Sequence, residues 1–460
     1  MEIPNMRSKR LLVIGLDCAT PELLFDRPEW KLPALRGLMA RGTYGTLRTV
    51  TPAITIPAWA CMMTGKDPGE LGIYGFRNRT DYSYTGLRLA TSLSVKERAL
   101  WDVLGAAGRD IVTIGVPPAY PPKPVHGTTV GCFLTPGPQS AYTYPASAKD
   151  EIAQLLQADY LVDCPNFRTE DKDGLLRQLY DMTECRFTVV EDWLARKPWD
   201  FFMFVEIGSD RLHHGFWKFF DPLHRGHVPG NKYQGVIRQY YEDLDVMLAR
   251  ALTRVDENET HIFVVSDHGA KRMDGGICIN EWLIREGYLT LKSIPDSPTP
   301  FAKLDVDWPS TSVWGEGGYY ARVFFNIAGR EPQGTVPPGR VDRLAEEVAR
   351  KIAAIPDDLG RPLANEVFRP REIYRTVRGI APDLMVYFGD LHWRSVGSVG
   401  YGGALHTFEN DIGPDDANHA RHGIYIEALS DRPGLGRCDD VDILSMYDRF
   451  LGVSDLALTG

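Results

Sequence analysis

The sequence predicts an α/β fold: a doubly wound, mostly parallel sheet with helices on both faces and inserted cap segments. Three observations predict it. Continuous apolar runs, LLVIGL (11–16), DIVTIG (110–115), DFFMFVEIG (200–208) and HIFVVSDHG (261–269), have the character of strands buried on both faces. Amphipathic stretches precede the last three, and helix followed by strand, repeated, implies βαβ units. Acidic, imidazole and hydroxyl side chains follow the runs, at the carboxyl ends where open parallel sheets gather ligands.

In chain order, LLVIGL is the first strand and Asp17 follows it directly. In TPAITIPAWACMMTGKDPGELGIYGF (51–76), Thr55 precedes Pro57 and a short helical run. Proline suits a first helical turn, and threonine before it is a good N-cap. TGKDPGELGIYG then reads as a rigid Gly/Pro turn region. SVKERALWDVLGAAG (94–108) reads as a helix leading into DIVTIG, and residues 117–146, rich in Pro, Gly and Thr, as irregular loop. DGLLRQLYDMTECRFTVVEDWLARK (173–197) and YQGVIRQYYEDLDVMLARALTRV (233–255) are the helices before the third and fourth strands. Residues 290–410 break the rhythm. They hold a Pro-rich linker (SIPDSPTP), short β-like runs around ARVFFNIAGR, one helix near VDRLAEEVARKIAAI and a Gly-rich tail, VGSVGYGGALH. The expected division is a core sheet unit of residues 1–289 and 411–460, with 290–410 as an inserted cap of mixed β and helix.

Composition narrows the class. At roughly 150 residues per domain, 460 residues allow two or three domains or one large α/β domain with insertions. The 43% hydrophobic and 24% charged content is that of a globular protein and excludes a disordered or fibrous chain. The net charge of −10 comes without a long basic run, so no nucleic-acid polymer is indicated as a partner. An acidic protein acting on an anion needs local positive charge, which bound metal ions can supply. Seven scattered cysteines without CxxC spacing argue against a disulfide framework or a zinc finger and suit a reducing compartment. The basic N-terminus followed by Leu11–Leu16 competes as a signal peptide, but the apolar run is short and Asp17 interrupts it. No stretch approaches a membrane helix. The expectation is a soluble cytoplasmic protein with no membrane partner; no oligomeric state is assigned.

The chemistry-bearing residues recur at strand ends. Asp17 follows the first strand, Asp210 lies past the 200–208 run with His214 four residues on, and Asp267 and His268 end FVVSDHG. Singly, each is equally a helix cap or turn former. In combination they supply carboxylates and imidazoles to one edge. Thr55, at a helix start, faces unpaired N–H groups and the positive end of the helix dipole, a place that binds anions and lowers an alkoxide's pKa; an ordinary N-cap is the alternative. In GPDDANHARHGIYI (413–426), His419 or His422 can complete a metal site, or both can belong to a solvated loop. Of the other histidines, His126, His224, His227, His261 and His392 read as structural or exposed, and His406 is unassigned.

GLDCATPE, TPAITIPAWACMMTGKDPGELGIYGF, SDRLHHGFW, VVSDHGA, INEWLIREGYL, GREPQGTV, APDLMVY and NHARHGI, in this order, resemble the alkaline phosphatase superfamily. The branch they resemble is the type I phosphodiesterase / nucleotide pyrophosphatases, and within it bacterial and archaeal phosphohydrolases. The resemblance implies two divalent metals, zinc or alternatively manganese, beside a Thr or Ser nucleophile. Matched residue by residue, Asp17, Thr55, Asp267 and His268 would surround one metal, and Asp210, His214 and His419 the other. The family places its histidine four residues after the aspartate, which prefers His214 over His213. It places another four residues before a Gly and an apolar strand, which prefers His419 over His422. The implied activity is hydrolysis of a small phosphodiester or phosphomonoester through a covalent phosphothreonine at Thr55.

One departure bears on substrate. The nucleotide pyrophosphatases carry T-x-P-N, whereas Ala58 and Trp59 follow Pro57 here. The missing amide puts nucleotide specificity in doubt; Asn78, Arg77 or Lys66 are the nearby substitutes, and Trp59 is a stacking wall or a core aromatic. A phosphotransferase or phosphomutase would share every motif. A sulfatase is disfavoured, because neither Cys61 nor its neighbours form C/S-x-P-x-R. A non-catalytic, metal-stabilised binding protein is a further alternative, against which the full ligand set argues.

Overall fold

A computed structural model describes residues 9–454. Residues 1–8 of the N-terminal segment and residues 455–460 of the expected core lie outside the described residues. The central sheet has ten strands. Its middle is parallel, in the order Thr260–Val265, Arg10–Leu16, Phe201–Glu206, Ile111–Ile114, Gly127–Val130. His422–Ala428 pairs antiparallel with both Thr260–Val265 and Thr43–Arg48 and carries the sheet to one edge.

Alternation within these strands explains why helices cover both faces. Leu12, Ile14, Phe202, Phe204, Ile262 and Val264 point to one side. There they pack against Leu175 and Leu179 of Lys172–Arg196 and Ile237 and Leu244 of Val236–Leu252. Leu11, Val13, Phe201, Met203, Phe263 and Val265 point to the other, against the helices Thr55–Thr64, Leu100–Ala106 and Ser445–Val453. A strand buried on both faces has no polar alternation to show, which is why these runs read as unbroken apolar stretches.

Two expectations need correction. Residues 117–146 are not all irregular: Gly127–Val130 joins the sheet in parallel and Thr143–Tyr144 adds an antiparallel edge. The run GTTV is β-branched, but the surrounding Pro and Gly mask a strand so short. The helix expected over 94–108 is confined to Leu100–Ala106.

A second apolar cluster forms beside the main sheet. Val313–Glu316, Ala321–Phe325, Leu384–Tyr387 and Glu366–Phe368 make an antiparallel sheet backed by the helix Val341–Ala353. This cluster also takes in Ile277, Ile279 and Leu283, earlier in the chain than residue 290. Gly275–Cys278 pairs with Trp393–Val396, which ties that earlier segment to the cap. Among the described residues no helix is long and apolar enough to cross a membrane.

Candidate metal centre at the carboxyl edge of the sheet

Three neighbouring strands deliver the acidic residues to one place. Asp17 follows Arg10–Leu16, Asp267 and His268 follow Thr260–Val265, and Asp210 sits in the first turn of the helix Gly208–Phe220 that follows Phe201–Glu206. That helix is anchored by a buried network: Glu206 accepts from the Gly208 N–H at 2.7 Å and pairs with Arg186 at 3.2 Å. Asp210 and His214, four apart, share one face of it. His419 arrives from a hairpin-like pair in which Ala417–Ala420 runs antiparallel to Gly269–Arg272, opposing His419 to Ala270. Thr55 is the first residue of its helix; the N-cap position belongs to Ile54, which makes no side-chain cap. The N-cap role expected for Thr55 is therefore corrected. Its hydroxyl points instead to His268, with Oγ1 3.3 Å from Nε2.

All seven residues singled out from the sequence come together, and all are buried. Each metal-ligand candidate but Thr55 has one polar atom tied to a neighbour and another facing the centre. Trp59 Nε1–H donates to Asp17 Oδ2 at 2.8 Å, the Cys18 N–H to Asp267 Oδ1 at 3.1 Å, and Arg211 to Asp210 Oδ2 at 2.6 Å. His214 Nδ1 lies 2.7 Å from Asp415 Oδ1, His268 Nδ1 3.1 Å from the Gly269 carbonyl, and His419 Nδ1 2.7 Å from the Ala53 carbonyl. Oxygen acceptors at Nδ1 place a proton there, so in the neutral imidazoles the lone pair lies on Nε2. Asp17 Oδ1, Asp210 Oδ1, Asp267 Oδ2 and His214 Nε2 are buried without a hydrogen-bond partner. Each such group costs about 1–3 kcal/mol unless something satisfies it. Four of them converging make this a candidate cation site, and an O/N donor set suits zinc or manganese.

The ligand atoms fall into two triads, Asp210–His214–His419 and Asp17–Asp210–His268, each within 4.8 Å. Asp210 thus stands between the two expected groups, while Asp267 Oδ2 lies 3.1 Å from His268 Nε2. The electrostatics agree. Burial, with other carboxylates close by, pushes Asp17 and Asp267 well above the usual range. Burial acts the same way on Asp210, but His214 and Arg211 outweigh it and hold that carboxyl well below. Burial lowers His268 to about 4, whereas His214 reaches about 9 because Asp415 and Asp210 overcome its burial. Cys18, deep in this cluster, is kept a thiol by burial and the same carboxylates, and its Sγ–H donates to the Gly269 carbonyl at 3.4 Å.

The rivals face elsewhere. His213 Nε2 meets the Tyr241 hydroxyl at 3.2 Å, and His422 is exposed beside Asp440. His406, in a short strand antiparallel to Gly275–Cys278, bonds the Pro356 carbonyl at 2.9 Å. Among the proposed substitutes for the missing amide, Asn78 spends its side chain on the Tyr74 N–H and the Gly75 carbonyl, Lys66 pairs with Glu70, and Arg77 is exposed. Trp59 is buried in the core, as one of the two readings expects, and its indole N–H also holds Asp17. Sequence reasoning missed Asp415, Arg211 and Tyr319. The first two adjoin polar motif residues; Tyr319, from the cap, carries no local signal beyond flanking glycines.

A doubly wound sheet with a buried cluster of carboxylates and imidazoles at its carboxyl edge, facing a threonine at a helix start, defines a protein of the alkaline phosphatase superfamily. Residues 11–424 match the type I phosphodiesterase / nucleotide pyrophosphatase family, and the chain belongs to it. Phosphate-ester hydrolysis is the activity of that family. No curated protein matches the chain significantly. Among solved structures, human ectonucleotide pyrophosphatase / phosphodiesterase 5 is similar with a TM-score of 0.55 at 12% identity, covering 98% of this chain and 96% of that one. An inactive variant of the murine protein in complex with AMP gives 0.54 at 14% identity, with the same coverage. These likenesses show the fold.

Proposed function

We propose that the chain is a metal-dependent phosphohydrolase that cleaves a small phosphodiester or phosphomonoester through a phosphothreonine at Thr55. The observation that carries this reading is the convergence of four partnerless ligand atoms beside the Thr55 hydroxyl. Asp17, Thr55, Asp267 and His268 would hold one divalent cation, zinc or manganese, and Asp210, His214 and His419 the other. When bound, such cations lower the pKa of a hydroxyl and offset the charge on the phosphate and the leaving oxygen.

The chain's own contribution is positioning. The segment before Thr55 is clamped by the cap: Tyr387 accepts from the Ala53 N–H at 2.8 Å, and the Tyr374 hydroxyl donates to the Thr51 carbonyl at 2.5 Å. His419 pins the Ala53 carbonyl from the other side. Thr55 Oγ1 thereby has a fixed line of approach, which is how orientation lowers a barrier. Uncapped N–H groups of the first helical turn suit a non-bridging phosphate oxygen. Oγ1 gives up its proton and bonds phosphorus as the leaving oxygen departs opposite it and is protonated from solvent; water then attacks phosphorus, the P–Oγ1 bond breaks and a proton of that water restores the hydroxyl.

The test is to acid-quench the enzyme during turnover of bis-p-nitrophenyl phosphate and map phosphorylation by mass spectrometry. A p-nitrophenylphosphoryl group on Thr55 is expected, because only one of the two p-nitrophenolates leaves when Oγ1 bonds phosphorus. Turnover without a phosphorylated peptide, in a Thr55→Ala protein of unchanged rate, contradicts the reading. Capture of the phosphoryl group by an added alcohol in place of water would make the enzyme a transferase.

A further inference from the structure

Behind His214 lies a second layer that no motif announces. The Asp415 side chain is fully buried, and three groups from separate parts of the chain converge on it. His214 Nδ1 lies 2.7 Å from its Oδ1, Arg168 Nε donates to Oδ2 at 3.0 Å, and the Tyr319 hydroxyl donates to Oδ2 at 3.3 Å. Arg168 also contacts that hydroxyl directly. Tyr319 comes from the cap, and its ring lies against both imidazoles of one triad, 5.0 Å from His214 and 4.2 Å from His419 between centroids. Asn418, beside His419, donates to the Tyr319 carbonyl at 3.0 Å and holds the ring in place. The loop carrying Asp415 is itself tied to the helix by the Asp416 N–H, which donates to the His214 carbonyl at 2.8 Å.

We infer that Asp415, held by Arg168 and Tyr319, is a positioning residue that orients His214 and raises the affinity of the Asp210–His214–His419 triad for its cation. The inference rests on the metal-dependent reading above. An imidazole whose Nδ1–H meets a carboxylate presents a more basic Nε2, in one orientation, than one facing a neutral acceptor. The Ala417 carbonyl, 3.1 Å from the same Nδ1, is that neutral acceptor. Replacing Asp415 therefore leaves the tautomer in place and removes the charge, so the expected effect is on affinity and not on the existence of the site.

The experiment is a competition titration of the metal-free full chain with Zn2+ against a chromophoric chelator, in the native protein and in Asp415→Asn. The visible absorption of bound Co2+ serves as a second readout of coordination. The expected result is one cation bound roughly 10- to 100-fold more weakly, the other unchanged, and an altered Co2+ spectrum. Circular dichroism of the metal-free proteins checks the fold. If Asp415→Asn does not fold, Tyr319→Phe decides: loss of a hydrogen bond to the carboxylate should weaken the same cation by about 3- to 10-fold. Native affinity for both cations in a folded variant overturns the inference alone and reduces Asp415 to a structural partner of Arg168. A native chain that takes up no cation overturns the metal-dependent reading and the inference with it.

Discussion

Trp59→Phe isolates what one indole N–H does for the site. The indole is completely buried, its Nε1–H meets Asp17 Oδ2 at 2.8 Å, and its far edge packs against the strand at Gly15. Phenylalanine keeps the ring and its place on the helix but loses the donor and part of the second ring. The lost packing, a few carbon-sized atoms, costs about 2 kcal/mol. The lost hydrogen bond costs about 1.5–3 kcal/mol when its acceptor is charged and less when it is neutral. The two parts separate by metal. In the metal-free protein Asp17 is pushed toward its protonated form by burial and its carboxylate neighbours, so mainly the packing loss shows. With a cation bound, Asp17 must be ionised, and the missing donor appears as weaker binding, roughly 10-fold or about 1.4 kcal/mol. Denaturant titrations with and without metal, alongside calorimetric titration of the cation, measure both parts. Native metal affinity in a merely less stable protein would refute the reasoning and return Trp59 to the core.

Binding of the cations should depend on pH with a definite sign. Asp17 and Asp267 are raised by burial and by nearby carboxylates, and His214, against its burial, is raised to about 9 by Asp415 and Asp210. All three must shed protons to ligate, so affinity should rise with pH up to about 9, with proton release visible as buffer-dependent calorimetric heats. An affinity that stays flat as pH rises to about 9 would contradict the assignment. His214 alone, raised in the folded metal-free protein, stabilises it fully below the unfolded pKa of about 6.5, and that contribution is lost as pH rises through about 9. His214→Gln should lose the cation of the Asp210–His214–His419 triad, whereas His213→Gln, altering a group bonded to Tyr241, should leave the metal content unchanged by elemental analysis. Cys18 adopts φ 61°, a left-handed conformation that costs a non-glycine residue about 1–2 kcal/mol. Cys18→Gly should therefore be more stable than Cys18→Ala to chemical denaturation, the reverse of the usual order; equal or opposite stabilities would show the strain to be negligible.

Most of the candidate ligand set was legible because its carboxylates follow apolar runs that must be buried strands, and a parallel sheet brings such ends to one edge. Asp17, Asp267 and His268 needed only that argument, and Asp210 with His214 needed the helical spacing of four. The rest depends on contacts far apart in sequence. Asp415 lies 201 residues from His214, and Tyr319 lies 96 from Asp415. Nothing in a loop reading GPDD tells one aspartate from its neighbour. Trp59 was visible, but an aromatic within an apolar helix looks like packing until the acceptor of its N–H is known. Gly127–Val130 was hidden for the opposite reason: its β-branched residues are too few to outweigh the prolines around them.

The central claim is a two-cation site acting through Thr55. Its most direct test is metal content by elemental analysis, paired with hydrolysis of bis-p-nitrophenyl phosphate and p-nitrophenyl phosphate before and after chelation, for the native chain and Thr55→Ala. The account predicts about two metals per chain in both proteins, chelator-sensitive turnover in the native one, and a loss of roughly a thousandfold or more in Thr55→Ala. A chain that takes up no metal under any loading condition, or a Thr55→Ala variant as active as the native enzyme, would contradict it.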